Sequence, residues 1–392
     1  MKLVLAIVVL AGCELIANIP DPGERSGDDA PLADGGGSGA NDADPDGPPP
    51  ECLVSSACTT GAAPVCGADH SCRECIDDPE CGSGVCLPDG ACADAARFLY
   101  AAPNGTGATC TAAAPCTVDT AVTKLSVATD IVKLAAGTYV RTSTLDAALP
   151  GILAGGGATF QSQLPDYNFV FTVPSTNPSF TILGLSIVQT DTANMLSCDG
   201  ATVKMVRTSA RDGNVGMLAT TCALEFDRVR FTGFRYYAVA ASLGTIAVRN
   251  SYFVANGRGA STQLAALQVD RTSGLVEAST IANNGGILSL LCQPNTPVRF
   301  RNLIATGSTP PGIASDCAVD HSLVDATYAS GANNLTGDPR FVDPATGNFH
   351  ITATSPARGV GDPLTPLLRD ADGDLRPNPA ATPPDVGADE IP

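Results

Sequence analysis

One six-residue pattern recurs through residues 182–324 and is the basis of the expected fold. The segments are ILGLSI (182–187), MVRTSA (205–210), FDRVRF (226–231), VRNSYF (248–253), VEASTI (276–281), FRNLIA (300–305) and VDHSLV (319–324). Their starts lie 23, 21, 22, 28, 24 and 19 residues apart. The first and last positions are apolar, and the fourth is apolar or a small hydroxyl residue. This β-rich repeat without a helical period predicts a solenoid whose short strands stack in parallel.

Composition and charge agree with a solenoid and argue against a nucleic-acid partner. Apolar residues make up 44% of the 392 residues, aromatic residues only 5%, and tryptophan is absent. Narrow coils filled by Val, Ile, Leu and Ala need few large rings. Most of the net charge of −18 belongs to residues 1–96, which hold 17 acidic and 3 basic residues. The solenoid is therefore nearly neutral, and we expect no nucleic-acid binding.

The N-terminal residues predict export and a membrane anchor. Lys2 precedes an apolar run, residues 3–11, that is typical of a signal peptide and too short to span a bilayer. The Leu-Ala-Gly-Cys sequence that follows resembles the lipobox of bacterial lipoproteins, which implies removal of residues 1–12 and lipidation of Cys13. An ordinary signal peptide is the alternative. Residues 13–50 are rich in Gly, Pro and Asp and predict a disordered acidic linker. We therefore expect a lipid-anchored protein of the cell envelope, at the outer membrane or the cell surface.

Residues 51–94 form a separate cysteine-rich module. An exported segment this small cannot fold on its own core, so its even number of cysteines predicts disulfides. Zinc is the alternative, because Cys72 and Cys75 are closely spaced and His70 lies nearby. Spacing alone does not determine which cysteines pair. The eight cysteines are Cys52, Cys58, Cys66, Cys72, Cys75, Cys81, Cys86 and Cys92.

Residues 98–140 carry a family resemblance. The sequences at 100–107 (YAAPNGTG), 114–116 (APC) and 130–139 (DIVKLAAGTY) resemble the opening of exported, pectin-lyase-like right-handed parallel β-helix proteins. The resemblance implies an all-β fold, a right-handed parallel β-helix over residues 97–337, closed at its first coil by a short helix. Residues 117–126 have the helical spacing for that helix, with Thr117 as N-cap, and Cys110 and Cys116 are expected to close the loop beside it.

The C-terminal residues, 338–392, resemble the choice-of-anchor Q segment of surface-exposed bacterial β-helix proteins. The matching sequences are DPRFVDP (338–344), GNFHI (347–351), SPA (355–357), DADGD (370–374) and DVGA (385–388), followed by Glu390. Within this segment, Asp370, Asp372 and Asp374 have the spacing of a calcium loop but lack a downstream bidentate glutamate. Calcium and a simple Asp/Gly turn are both open interpretations, and no other cofactor is expected.

Coil register makes two structural predictions. The second position of successive segments alternates in sign and should form a solvent-exposed ladder of ion pairs: Asp227, Arg249, Glu277, Arg301 and Asp320. Four late cysteines fall at matching distances from the starts of their coils. Adjacent coils therefore predict the disulfides Cys198–Cys222 and Cys292–Cys317.

Function is less well specified than fold. No motif of the β-helix pectinases, pectate lyases or uronate epimerases occurs, and no hydrolase or zinc-protease signature is present. Arg207 and Arg228 stack in successive coils as like charges, which suggests a site for an anionic glycan. Arginines that extend into solvent or pair with loop carboxylates are the alternative. The full candidate site is Arg207, Arg211, Arg228, Arg230, Arg235, Tyr236 and Tyr252.

These observations favour a surface lipoprotein that displays a β-helix for binding or adhesion, with polysaccharide as the expected ligand. One alternative is a polysaccharide lyase or glycoside hydrolase acting on acidic glycans. Another is a structural spacer or adhesin. The fold alone does not decide among them, because parallel β-helices host many activities.

Overall fold

The structure, a computed structural model, describes residues 51–391 except 191, 260–263, 309–311, 315, 326–327 and 329–330. Cys13, the signal peptide and the linker lie outside the described residues. The described chain winds through three parallel sheets. Sheet 1 consists of Phe98–Ala101, Ile131–Leu134, Gly151–Ala154, Ser179–Leu183, Thr202–Val206, Ala223–Asp227, Thr245–Arg249, Ser273–Glu277, Val298–Arg301 and Ala318–Asp320.

Sheets 2 and 3 complete each coil. Sheet 2 consists of Gly137–Arg141, Ala158–Ser162, Ser186–Val188, Ser209–Arg211, Arg230–Thr232, Tyr252–Val254, Thr280–Ala282, Ile304–Thr306, Leu323–Val324 and Leu335–Thr336. Sheet 3 consists of Leu145–Asp146, Phe169–Val173, Asn194–Asp199, Val215–Thr220, Val239–Ser242, Ala265–Asp270 and Leu288–Cys292. The predicted parallel β-helix is confirmed.

The register of the coils follows the sequence repeat. The first positions of the seven segments pair in an unbroken ladder along sheet 1: Ile182, Met205, Phe226, Val248, Val276, Phe300 and Val319. All seven side chains are at most 2% exposed. Because parallel stacking places equivalent residues over one another, one repeated apolar position builds a continuous core.

The third position of each segment makes the bend between sheets 1 and 2. Arg207 and Arg228 have φ angles of 48° and 55°, in the left-handed region, and Asn250 has 51°. The fourth position points into the core beyond this bend. The hydroxyl of Ser251 accepts a hydrogen bond from the Val229 backbone N–H of the preceding coil at 3.1 Å. Ser279 and Ser322 accept in the same way from the Ser251 and Leu303 backbone N–H groups, which explains why serine recurs at the fourth position.

A short helix covers the first coil, as the resemblance implies. It spans Val118–Val122, and the Thr117 hydroxyl accepts from the backbone N–H of Thr120 at 3.2 Å. The buried guanidinium of Arg141 on sheet 2 holds Asp119 with two bonds of 2.7 and 2.8 Å. Cys110 and Cys116 form the expected disulfide.

The late disulfides agree with the coil register. Cys198 is bonded to Cys222 and Cys292 to Cys317, each pair linking neighbouring coils. The charged ladder is also in register, with Arg249 3.4 Å from Asp227 and Arg301 2.9 Å from Glu277. The expected exposure holds for Arg249 but is wrong for Glu277, whose side chain is 8% exposed. The C-terminal segment covers Glu277, and the Thr365 hydroxyl donates to its carboxylate.

The cysteine-rich module packs on the outer face of sheet 1. It contains 3-10 turns at Ser55–Ala57 and Asp78–Glu80, a hairpin of Val65–Cys66 and Cys72–Arg73, and a 3-10 turn at Ala95–Arg97 leading into the solenoid. Its disulfides are Cys52–Cys66, Cys58–Cys72, Cys75–Cys86 and Cys81–Cys92. The zinc alternative is therefore wrong, because the thiols it needs are oxidised in pairs. Apolar side chains join the module to sheet 1: Val85, Leu87, Ala93, Phe98, Ile131, Ala154, Leu183 and Val206.

The C-terminal segment packs on the outer face of sheet 2. Its hairpin of Phe341–Asp343 and Asn348–Ile351 is antiparallel, and the chain then crosses sheet 2 without further strands. Phe349 and Ile351 are buried against apolar residues that sheet 2 turns outward. Those outward residues include Val254, Ala282 and Ile304. Among the described residues, no helix is both long and apolar enough to cross a membrane.

Candidate functional site

The seven residues of the predicted glycan site lie in three separate places. Arg207 and Arg228 occupy the bend between sheets 1 and 2, facing the cysteine-rich module. Arg230 and Tyr252 lie on the outer face of sheet 2, under the C-terminal segment. Three more residues lie at or after the end of sheet 2 strands: Arg211, Arg235 and Tyr236. The structure therefore does not bring the seven into one surface.

Arg207 and Arg228 hold the module against the solenoid. The Arg207 guanidinium donates to the carbonyls of Ile76 and Cys86 at 2.9 and 2.6 Å and to Asp78 at 2.9 Å. Arg228 donates to the same Ile76 carbonyl at 3.2 Å. Burial lowers the pKa of Arg207, opposed by the charge of Asp78. The like-charge stack is thus relieved by carbonyl dipoles and module carboxylates.

Arg230 and Tyr252 hold the C-terminal segment. Arg230 donates to the Gly347 carbonyl at 2.6 Å, and its guanidinium lies 5.2 Å from the Tyr252 ring and 5.7 Å from the Phe349 ring. Tyr252 is 7% exposed, yet its hydroxyl has no hydrogen-bond partner among the described residues. Burial raises the pKa of Tyr252 well above its ordinary value, and nearby aspartate charges raise it further.

The side chains of the remaining three residues contact near neighbours in the described part of the chain. Arg211 pairs with the adjacent Asp212 at 3.0 Å, and the Arg235 guanidinium lies 5.5 Å from the Tyr236 ring. Asp212 also lies 3.4 Å from Arg258. Asp212 therefore offsets part of the positive charge at this corner.

The predicted calcium residues have separate roles. Asp370 is fully buried, and its carboxylate accepts backbone N–H bonds from Asp372, Asp374 and Glu390 at 2.8–2.9 Å. Burial raises the pKa of Asp370 to about 7, although the Glu390 N–H opposes the shift. Its oxygens therefore organise the turn at 370–374. Asp372 points instead to His350, with Oδ2 3.2 Å from Nε2.

A three-residue cluster surrounds this contact. The ligand atoms of His350, Asp372 and Asp389 all lie within 4.8 Å of one another. The hydrogen bond to Asp372 raises the pKa of His350 to about 9. Burial raises the pKa of Asp389 to about 6, against the opposing charge of His350. One oxygen of Asp389 accepts from the Ile351 backbone N–H at 2.7 Å, which leaves the other available.

A cleft of about 520 Å³ lies on the outer face of sheet 1. Its floor is one cross-strand ladder in which each residue pairs with the next: Ile152, Thr181, Lys204, Glu225, Ala247 and Leu275. Six strands spaced about 4.8 Å apart make this floor roughly 24 Å long. Ala247 is exposed and Leu275 half-buried, so the floor contains accessible apolar surface.

Charged side chains along the cleft are paired. Lys204 lies 2.7 Å from Glu225, with 36% and 49% of the two side chains exposed. A second row beside the floor contains Asp227 and Arg249, 3.4 Å apart. The module forms one wall through Leu87, Pro88 and Asp89. A cleft with alternating charges and apolar patches presents hydrogen-bond donors and acceptors without a strong net field.

A second cleft of about 480 Å³ continues from the first toward the C-terminal segment. It lies between the module and residues 366–370, and both Asp227 and Arg249 line it as well. Leu368 is 75% exposed and Leu375 61% exposed at its outer wall. The two accessory units thus border one long open strip of sheet 1.

The sequence-based interpretation did not select the cleft residues as a site. Lys204 and Glu225 each lie one position before a six-residue segment. From the sequence, polar residues at that position look like ordinary solvent-facing strand residues. The walls come from a module that is distant in sequence. The sequence gives no reason to place His350 near Asp389, because Asp389 lies 39 positions away in the chain. Only the alternation Phe349-His350-Ile351, which turns His350 away from the core, was a usable signal.

Comparisons with known proteins give shape similarity only. No family model matches the chain, and no curated protein matches it. Its structure is similar to a solved pectate lyase, Pel9A, with 13% identity, a TM-score of 0.43, and coverage of 76% of this chain and 96% of that one. It is also similar to a rhamnogalacturonan lyase, with 13% identity, a TM-score of 0.33, and coverage of 71% and 94%. At this identity and these TM-scores the similarities assign neither a family nor a substrate.

Proposed function

We propose that the protein binds an extended polysaccharide in the cleft on sheet 1. The observation that carries this proposal is the unbroken six-strand ladder that forms the cleft floor. It gives a straight, open channel of roughly 24 Å whose surface repeats at about 4.8 Å, which suits a linear polymer better than a compact small molecule.

The chemistry of the cleft fits a hydroxyl-rich ligand. Sugar hydroxyl groups donate and accept hydrogen bonds, and the Lys204–Glu225 pair presents both functions at a partly exposed position. Ala247 and Leu275 supply apolar surface for the C–H faces of sugar rings. Because the charges of the floor are balanced, a neutral or weakly charged glycan fits it better than a dense polyanion. The anionic-glycan hypothesis loses support, since Arg207, Arg228 and Arg230 make internal contacts.

The test is a glycan-array screen of the full chain and two matched variants. Ala247→Trp fills the cleft floor without altering an inward-facing residue. Ala240→Trp is the control, because Ala240 lies on the same coil at an outward position of sheet 3. We expect glycan binding to fall at least about tenfold in Ala247→Trp and to persist in Ala240→Trp. Unchanged binding by a folded Ala247→Trp variant contradicts the cleft as the site.

The proposal includes export and anchoring at the cell envelope. The described residues contain seven disulfides, which persist in oxidising compartments. The lipobox resemblance at Cys13 supports lipidation, and the resemblance of residues 338–392 to choice-of-anchor Q segments supports display at the surface. In this proposal the linker holds the module and solenoid away from the lipid, so that the cleft meets envelope or extracellular glycan.

A lyase is the second candidate, because the same cleft contains Lys204 and Arg249. A β-eliminating lyase needs a cation beside a uronate carboxylate and a group that removes the adjacent proton. Glycans that bind should therefore be incubated with the protein and assayed for ultraviolet absorbance from the C=C bond that elimination creates. Binding without new absorbance or shortening of the chains supports a binding protein, and chain cleavage supports the enzyme.

A further inference from the structure

We propose that His350, Asp372 and Asp389 form a site for a divalent transition-metal cation on the outer side of the C-terminal segment. This proposal is independent of the polysaccharide cleft, which lies on sheet 1. The three side chains come from different parts of the segment: the hairpin, the turn at 370–374 and the residues after Val386.

The geometry is close to that of a bound ion. The ligand atoms of the three residues lie within 4.8 Å of one another, and the His350–Asp372 contact is already 3.2 Å. In the tetrahedral arrangement typical of Zn²⁺, ligand atoms held at about 2.0–2.2 Å from the ion stand roughly 3.3–3.6 Å apart. The His350–Asp372 contact is already near that spacing, and side-chain adjustments of roughly 1 Å bring the third ligand to it. The side chains of His350 and Asp372 are 46% and 33% exposed, so an ion has an entry path.

The surrounding residues already fix the ligands. Asp370 accepts from the N–H groups of Asp372 and Glu390, which ties the turn to the chain beside Asp389. The Ala371 N–H donates to the Ala388 carbonyl at 3.0 Å and reinforces this link. Such outer contacts are the usual means by which proteins orient metal ligands.

A second observation points to a missing partner in the same place. The hydroxyl of Tyr252 is buried and unpartnered within the described structure, although the residue is only 7% exposed. The charges that act on it are those of Asp372, Asp389 and Asp370, opposed by Arg230. A buried hydroxyl without a partner normally finds a ligand or an ordered water. Water bound to a cation held by Asp372 and Asp389 satisfies that requirement.

The donor set selects the class of ion. One imidazole nitrogen with two carboxylates suits Zn²⁺, Mn²⁺ or Co²⁺, whereas Ca²⁺ and Mg²⁺ prefer oxygen ligands alone. The proposed site shares Asp372 with the predicted calcium loop. An ion there joins three separate pieces of the segment and holds them on sheet 2.

The test uses the full oxidised chain after treatment with EDTA and removal of the chelator. Zn²⁺, Mn²⁺, Ca²⁺ and Mg²⁺ are titrated by calorimetry, and Co²⁺ by its visible absorption, which reports direct coordination. The variants are His350→Ala and the nearly isosteric Asp372→Asn. The control is His321→Ala, since His321 also contacts an aspartate, Asp320, at 3.2 Å.

We expect one equivalent of Zn²⁺ and Co²⁺ to bind, with Ca²⁺ and Mg²⁺ far weaker. Affinity should fall at least about 100-fold in His350→Ala and Asp372→Asn and remain unchanged in His321→Ala, while Tyr252→Phe should cost about tenfold. Circular dichroism of the metal-free variants separates loss of ligation from loss of folding. Failure of the wild-type chain to bind Zn²⁺, or undiminished binding by the folded Asp372→Asn variant, overturns the proposal.

Discussion

Replacing Arg207 with alanine should loosen the cysteine-rich module without unfolding the solenoid. The guanidinium is 12% exposed and makes three bonds to the module, two to carbonyls and one to Asp78. The Asp78 side chain is 16% exposed in the intact pair, and truncation of Arg207 leaves it the Cys86 N–H as a donor at 2.9 Å. Breaking a buried ion pair by removing one partner costs about 3–5 kcal/mol. We expect the loss of docking free energy to lie at the lower end of this range, because Arg228 still contacts the Ile76 carbonyl.

A loss of about 3 kcal/mol raises the undocked population roughly 100-fold. Tryptic cleavage after Arg97 reports that population, because Arg97 lies where the module joins sheet 1 and is held by Asp130 at 2.6 Å. We expect cleavage in Arg207→Ala to accelerate by about two orders of magnitude, with an intermediate rate in Arg207→Lys. Arg211→Ala is the control, since the Arg211 side chain is 47% exposed and its ion pair in the described structure is with the adjacent Asp212. Cleavage of Arg207→Ala at the wild-type rate refutes the docking role.

Three further predictions concern the disulfides, pH and anchoring. Replacing Cys198 and Cys222 with serine should lower the free energy of unfolding by about 2–4 kcal/mol in denaturant titrations, because their disulfide closes a loop between coils; an unchanged midpoint contradicts this. Arg97 and Arg141 hold the pKa values of Asp130 and Asp119 below the ordinary value, so the pairs stabilise the fold above the unfolded pKa of these groups, near 4. Their contribution should disappear as pH falls through the lower pKa values of the folded state. In urea titrations from pH 6 to 2, the free energy of unfolding should therefore decline less steeply in Asp130→Asn than in the wild type. An identical decline contradicts the assignment. Cys13→Ala should leave the protein unprocessed or release it from the membrane fraction, and normal maturation with membrane retention would rule out lipidation.

The register of the coils was predictable because parallel stacking repeats the same residue pairing in each successive coil. An apolar residue at the position of Ile182 must meet its counterpart in the next coil, and the charges at Asp227 and Arg249 must become neighbours. The two inter-coil disulfides follow from the same rule. A repeat of this kind converts sequence spacing directly into spatial proximity.

Long-range packing on the solenoid was not predictable from that repeat. Arg207 and Asp78 are 129 residues apart, and nothing in the periodicity of either segment indicates that they meet. The like-charge stack of Arg207 and Arg228 suggested an external anion, but the module supplies the compensating groups. Similarly, His350 and Asp389 converge because the Ile351 N–H donates to the Asp389 carboxylate, and the Glu390 N–H donates to Asp370.

The most direct test of the proposed polysaccharide cleft is amine footprinting of the lysines with and without bound glycan. Lys204 lies on the cleft floor, whereas Lys124 is exposed near the helix that covers the first coil. With a saturating glycan identified on the array, we expect acylation of Lys204 to slow severalfold while acylation of Lys124 does not change. Equal labelling of Lys204 in the free and glycan-bound protein would contradict glycan binding in the cleft.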